Sequence, residues 1–111
     1  MARITYRSDG DLPLEQLESL YVENSWSSGQ KPEQLQKALL SSHAIITAWD
    51  GHLLVGLGNA ISDGHLVVYY PHLVVRPSHQ RQGIGREILE RLLDHYEGFH
   101  QQVLIADARA I

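Results

Sequence analysis

LVVRPSHQRQGIGREILERLL, residues 73–93, runs from an apolar strand-like segment through Arg76-Pro77 and two glycines into an amphipathic helix. Ile84, Ile88, Leu89, Leu92, Leu93 and Tyr96 recur at helical spacing on one face, and Gly98 supplies a C-terminal stop. Gly83 and Gly85 stand at the mouth of this helix. Glycine is costly there and is kept where something must come close to the main chain. The first N–H groups of a helix have no intrahelical acceptor and carry the positive end of its dipole. The pattern therefore predicts a site for a phosphate or pyrophosphate.

The segment before this stretch, HAIITAWDGHLLVGLGNAISDGHLVVYYPHLVV (43–75), is three apolar runs divided by Asp50-Gly51 and Asp63-Gly64. Asp-Gly between β-type runs signals tight hairpins, so 44–75 reads as a three-stranded antiparallel meander. Pro71 cannot donate to a ladder and predicts a bulge or splay in the third strand. Further upstream, RITYRS (3–8) alternates like a short strand. DLPLEQLESLYVEN (11–24) places Leu14, Leu17, Leu20 and Tyr21 on one helical face. SWSSGQ (25–30) is a loop, and Pro32 opens a second helix with Leu35, Leu39 and Leu40 as its apolar stripe. Downstream, QVLIAD (102–107) suits a strand buried on both faces. The order β-α-α-β-β-β-α-β describes an α/β chain of the mixed α+β kind, a mostly antiparallel sheet flanked by helices, in one domain over 1–111.

At 111 residues the chain has the length of one domain, and its 43% hydrophobic and 20% charged residues are ordinary for a globular protein. No apolar run is long enough to span a bilayer, and MARITYRSDGD lacks the apolar core of a signal peptide, so a cytoplasmic location is expected. The absence of cysteine excludes disulfides and thiolate chemistry. A net charge of −4 argues against nucleic-acid binding. The seven histidines are dispersed without HxxxH or HxH pairs beside a carboxylate, so no metal site is expected.

Three glycine-rich phosphate motifs compete for residues 80–88. A P-loop needs Lys-Ser/Thr after the last glycine, where this chain has Arg86-Glu87. A dinucleotide fingerprint needs a third glycine where Ile88 stands; Asp107 lies at the right distance for its acidic residue, but the preceding strands form hairpins. Gln80-x-x-Gly83-x-Gly85, following a strand and Arg-Pro and opening an amphipathic helix, resembles the acetyl-CoA signature of the GNAT superfamily of N-acetyltransferases. A tight strand-to-helix turn alone would account for two glycines but not for Gln80 in register with them. The element order resembles that fold, acyl-CoA N-acyltransferase-like, over essentially the whole chain.

The resemblance implies acetyl-CoA as co-substrate, with the pyrophosphate wrapped by the main chain of Arg81, Gln82, Gly83, Ile84, Gly85 and Arg86. Arg81 and Arg86 would add charge. Leu73, Val74 and Val75 would lie along the pantetheine arm and supply an N–H that polarises the thioester carbonyl, with Leu104 to Ala106 as the opposite wall. Some members carry a Glu or His base four residues before the position of Leu73, which here is Tyr69. A phenol with pKa about 10 is a poor base at neutral pH. His72 is the more basic candidate, although strict alternation turns it from Leu73's face unless the Pro71 bulge re-aims it. Glu23, Asn24 and Trp26 fall where the family borders its acceptor.

The function implied is acetyl transfer to a primary amine of a small molecule or peptide. In the family, the strand matching 102–107 is followed by a helix whose tyrosine protonates the departing thiolate, and this sequence stops at Ile111 before it. A shortened CoA-binding module with little turnover, dimerising or regulatory, is the alternative. An uncovered last strand predicts a homodimer through that edge, or a truncated product.

Overall fold

The computed structural model describes residues 3–104. The chain runs β1 (Ile4–Arg7), α1 (Leu14–Glu23), a 3-10 turn (Ser27–Gln30), α2 (Pro32–Leu40), β2 (Ala44–Asp50), β3 (Leu53–Ser62), β4 (Val67–Tyr70), β5 (Leu73–Val75), a second 3-10 turn (Pro77–His79), α3 (Ile84–His95) and β6 (Gln101–Leu104). The sheet order is β1-β2-β3-β4-β6, and β5 continues beside β3. Neighbours are antiparallel except β4 and β6, which run parallel. This is the mixed, mostly antiparallel architecture that the alternating periodicities predict.

The sheet is packed on both faces except at its β4–β6 end, where Ile61, Tyr69 and Val103 are exposed. Against α3 lie Ile46, Ala48, Val55, Ala60, Val68, Tyr70, Leu73 and Val75, meeting Ile84, Ile88, Leu92 and Tyr96. The opposite face packs Ile45, Trp49, Leu54, Leu57 and Val74 on Leu17, Leu20 and Tyr21 of α1 and Leu35 and Leu39 of α2. Gly58 sets the first interface: a Cβ there would stand 2.7 Å from Ile88 Cγ2 and 3.0 Å from Leu92 Cδ1, so α3 rests directly on the β3 backbone.

Asp50-Gly51 makes the expected tight hairpin, with Asp50 opposite Leu53 across two loop residues. Asp63-Gly64 does not: four residues, 63–66, join β3 to β4. The Asp63 carboxylate accepts the N–H groups of His65, Leu66 and Val67 at 2.9, 2.9 and 3.2 Å, organising a wider loop than a two-residue turn. Those three donors also lower its carboxyl pKa to about 2.

Two further expectations are corrected. Leu40 does not complete the stripe of α2; it is 52% exposed, because the helix ends there and only Leu35 and Leu39 reach the core. The last strand is not buried on both faces: all of Gln101–Leu104 is exposed, since β4 is its only neighbour among the described residues. Residues 105–107 of that predicted strand lie outside the described residues.

The Pro71 irregularity is present and specific. Ile61 pairs with Tyr69, but Gly58 pairs with Leu73, so three residues (70–72) oppose two (59 and 60). Asn59 clamps this bulge from both sides. Its N–H donates to His72 O at 3.1 Å, and its Oδ1 accepts the His72 N–H at 3.0 Å. Tyr70 and Leu73 both face α3, and His72 consequently emerges on the side of α1 and α2.

Candidate functional site

The glycine loop has the backbone that an anion site needs. Arg81 (φ 65°) and Gly83 (φ 84°) take left-handed conformations, and Gly83 caps α3. The first helical bond there is Glu87 N–H to Gly83 O at 3.0 Å. No acceptor among the described residues takes the N–H of any residue from Arg81 to Arg86. Six consecutive donors therefore remain available at the positive end of a twelve-residue helix. Arg81, Gln82, Gly83 and Arg86 are exposed, and a Cβ built on Gly83 meets nothing within 4 Å. The donor set and the open space in front of it suit a phosphate group, and two arginines flank them.

The end of β5 is the second feature. Arg76 N–H donates to Val55 O (2.7 Å) and Asn59 N–H donates to His72 O (3.1 Å). These flanking bonds fix the parity of the ladder between them. Val74 spends both main-chain groups on Leu57, so it offers none to a ligand. Leu73 and Val75 turn theirs to the other edge, where no described strand pairs with them. The described part of β6 reaches Leu104, beside Tyr70; residues 105 and 106 of the predicted opposite wall lie outside the described residues. The Leu73 N–H and C=O and the Val75 N–H can thus bond an extended, amide-bearing chain lying along the edge.

Buried polar side chains hold this edge in place. Arg76 is 4% exposed; its guanidinium donates to Leu54 O from Nε (3.0 Å) and Nη2 (2.8 Å), to Ser19 Oγ (2.9 Å) and to Glu23 through Nη1. Gln80 Nε2 donates to Val75 O at 3.0 Å and to Asn24 Oδ1 at 3.3 Å. The last turn of α1 is thereby tied to both the strand end and the glycine loop. Sequence reasoning took Arg76 only as part of an Arg-Pro punctuation and overlooked Asn59. The available signal was a lone polar residue inside an apolar run for Asn59 and a charged residue closing such a run for Arg76.

Of the two candidate catalytic residues, only His72 is placed beside polar partners. Its Nδ1 lies 2.6 Å from Tyr21 Oη, and its ring meets Trp26 edge-on with centroids 5.2 Å apart. Tyr21 is fully buried, and burial pushes its phenol far above the ordinary 10. It keeps its proton and donates it to Nδ1, a tautomer assigned from this bond. Burial also lowers the His72 pKa from 6.5, which leaves a neutral imidazole at pH 7. The ring borders a surface cleft of about 280 Å³ lined also by Lys31, Gln34, Leu35 and Ala38. Tyr69 instead sits on the exposed sheet face, paired with Ile61 and Val103, and makes no polar contact among the described residues. Glu23 and Asn24 hold Arg76 and Gln80, while Trp26 is the member of that trio whose ring packs on His72. No group of three His, Cys, Asp or Glu side chains among the described residues is arranged to hold a metal ion. None of their helices is long and apolar enough to cross a membrane.

The model of the acetyltransferase (GNAT) family matches residues 12–111. A GNAT-family acetyltransferase of Streptococcus pneumoniae TIGR4 shares 33% identity and superposes with a TM-score of 0.80 over 96% of this chain and 77% of its own. A probable acetyltransferase of unknown function from methicillin-resistant Staphylococcus aureus shares 28% identity, with a TM-score of 0.76 over 96% and 80%. An aminoglycoside N-acetyltransferase solved in complex with CoA has the same fold at 14% identity, with a TM-score of 0.69 over 97% and 80%. Comparison with curated proteins gave no match. The chain belongs to the GNAT family of acetyltransferases.

Proposed function

We propose that this GNAT-family chain binds acetyl-CoA and transfers its acetyl group to a primary amine of a small molecule or peptide. The observation that carries the reading is the run of unshared N–H groups from Arg81 to Arg86, opened by Gly83 at positive φ. A pyrophosphate there gains charge-assisted hydrogen bonds, each worth about 1.5–3 kcal/mol. The CoA complex of the related aminoglycoside acetyltransferase supports the same ligand class.

Bound acetyl-CoA supplies an activated acetyl thioester. Its amide-bearing arm would lie along the edge of β5 with which no described strand pairs, where the Leu73 N–H would donate to the thioester carbonyl oxygen as negative charge develops during attack. The α3 side of Leu73 is filled by core, so the amine approaches from the face that carries His72. The amine nitrogen bonds the acetyl carbon as the C–S bond breaks, CoA leaves as a thiolate that takes a proton from water, and His72 takes the amine proton at Nε2. For this the ring adopts its other tautomer, with Nδ1–H donating to the Tyr21 hydroxyl, which can accept as well as donate.

A second reading, a CoA-holding module that recruits another copy through its sheet, draws on the exposed strip of Ile61, Tyr69 and Val103, which ends on β6, the last strand of the described sheet. A thiol-release assay with acetyl-CoA over a panel of amines separates the two. Amine-stimulated release, lost in Gly83→Arg, supports transfer. CoA binding without release from any amine, together with a dimer mass in sedimentation, supports the module. A chain that does not bind CoA contradicts both.

A further inference from the structure

Two non-glycine residues among those described have positive φ, Ser25 (60°) and Arg81 (65°). Each directly follows one partner of a single side-chain bond, Gln80 Nε2 to Asn24 Oδ1 at 3.3 Å. Left-handed backbone costs a non-glycine residue about 1–2 kcal/mol and persists where its surroundings impose it. Two such segments, far apart in sequence, are thus joined through one amide–amide contact.

The contact spans the two halves of the site. On one side, Gln80 also holds Val75 O at the edge of β5 that no described strand pairs, and it immediately precedes the N–H groups of the loop that no described acceptor takes. On the other, Asn24 is 6% exposed, caps α1, and donates through Nδ2 to Leu20 O at 2.9 Å. Trp26 follows two residues later. Its N–H is fixed on Tyr21 O at 3.1 Å, and its ring packs edge-on against Tyr21 (5.4 Å) and His72 (5.2 Å). Arg76 anchors the same end of α1 through Glu23 and Ser19, but it reaches the strand rather than the loop. Among the described side chains, the bond between Gln80 and Asn24 is the polar link from the glycine loop to the Trp26 loop.

We propose that Asn24 is a positioning residue: with Gln80 it forms a latch through which occupation of the glycine loop changes the placement of Trp26 beside His72. The inference rests on the reading that CoA occupies the loop. An anion bonded to the N–H groups after Gln80 favours one arrangement of residues 80–83. Gln80 passes that preference to Asn24, whose other bonds tie it to the α1 terminus from which the Trp26 loop departs. A ligand shifts a conformational equilibrium only by its differential interaction with the two states, and the latch gives the Trp26 loop a share in that difference.

The test uses Trp49→Phe, which leaves Trp26 as the sole tryptophan of the chain. CoA is titrated by calorimetry and by Trp26 fluorescence. The parent is expected to bind CoA with a saturable change in Trp26 emission. Asn24→Asp keeps an oxygen facing Gln80 but loses the donor to Leu20 O, and it is expected to retain the response. Asn24→Ala is expected to lose most of the response while its CoA Kd moves by less than about threefold. If Asn24→Ala does not hold its fold, Gln80→Leu breaks the same bond from the other side and must lose the response likewise. A full response in Asn24→Ala overturns the latch. So does equal loss in Asn24→Asp and Asn24→Ala, because the effect would then belong to the capping of α1. A parent that binds CoA calorimetrically with no change at Trp26 overturns the latch alone. A parent that does not bind CoA overturns the cofactor reading first.

Discussion

Gly83→Ala and Gly98→Ala form a matched pair that separates backbone strain from ligand contact. Both glycines flank α3, both have positive φ (84° and 86°), and a Cβ on either meets nothing within 4 Å. Forcing alanine into this region costs about 1–2 kcal/mol, partly offset by about 0.4–1 kcal/mol of entropy removed from the unfolded chain. Each variant should therefore lose about 1 kcal/mol, or roughly 4 °C in Tm for a chain of this length. Only Gly83 stands among the free N–H groups of residues 81–86. Its new methyl group occupies the space that a phosphate oxygen would enter. Loss of one charge-assisted hydrogen bond, about 1.5–3 kcal/mol, predicts a ten- to hundred-fold rise in the CoA Kd. Calorimetric titration beside thermal melts reads both quantities. Equal Tm losses with CoA weakened only in Gly83→Ala support the reasoning. Equal CoA affinity in the two variants would refute it.

Three other substitutions probe the frame around the site. Gly58→Ala pushes a Cβ into Ile88 Cγ2 at 2.7 Å, and such overpacking should cost about 1–3 kcal/mol in a denaturant melt; an unchanged midpoint would mean that α3 does not sit as described. Glu23→Gln removes the carboxylate from the buried Arg76 while leaving its bonds to Leu54 O and Ser19, so a loss of about 1–2 kcal/mol is expected, below that of breaking a fully buried pair. Burial lowers the His72 pKa below 6.5, so the unfolded chain binds this proton more readily than the folded one. The stability from the neutral ring is complete above pH 6.5 and is lost as pH falls through 6.5 toward the folded value. His72→Gln should flatten that slope in pH-dependent unfolding, and the acid limb of kcat/KM should lie below 6.5; a limb above 6.5 would count against His72 as the base.

Much of the fold was legible because periodicity changes sharply along the chain. The helical spacing of Ile84, Ile88, Leu92 and Tyr96 and the Asp50-Gly51 hairpin each specify one local geometry, and α3 and the β2–β3 pair follow. The glycine loop was legible for a similar reason, since free N–H groups at a helix mouth depend on backbone chemistry that glycine advertises. Asp63-Gly64 misled because a side chain, not the turn type, organises that loop. The main-chain groups of Leu73, Val74 and Val75 were not distinguishable, because their direction depends on bulge parity set by Asn59 across the sheet. The exposure of β6 depends on which elements lie beside it, and an apolar sequence alone carries no such information. Arg76, Gln80 and His72 each also bond a side chain of α1 or its cap residue Asn24, more than fifty residues away, and no local pattern could announce those bonds.

The central claim is that the main chain around Gly83 and the edge of β5 left unpaired among the described residues receive CoA. Backbone amide NMR during a CoA titration tests it residue by residue. The account predicts the largest shifts at Arg81–Arg86 and at Leu73 and Val75, with Val74, bonded inward to Leu57, and Gly98 much less affected. Shifts concentrated elsewhere, as in the cleft of Ser8, His43 and His95, or none at millimolar CoA, would contradict it.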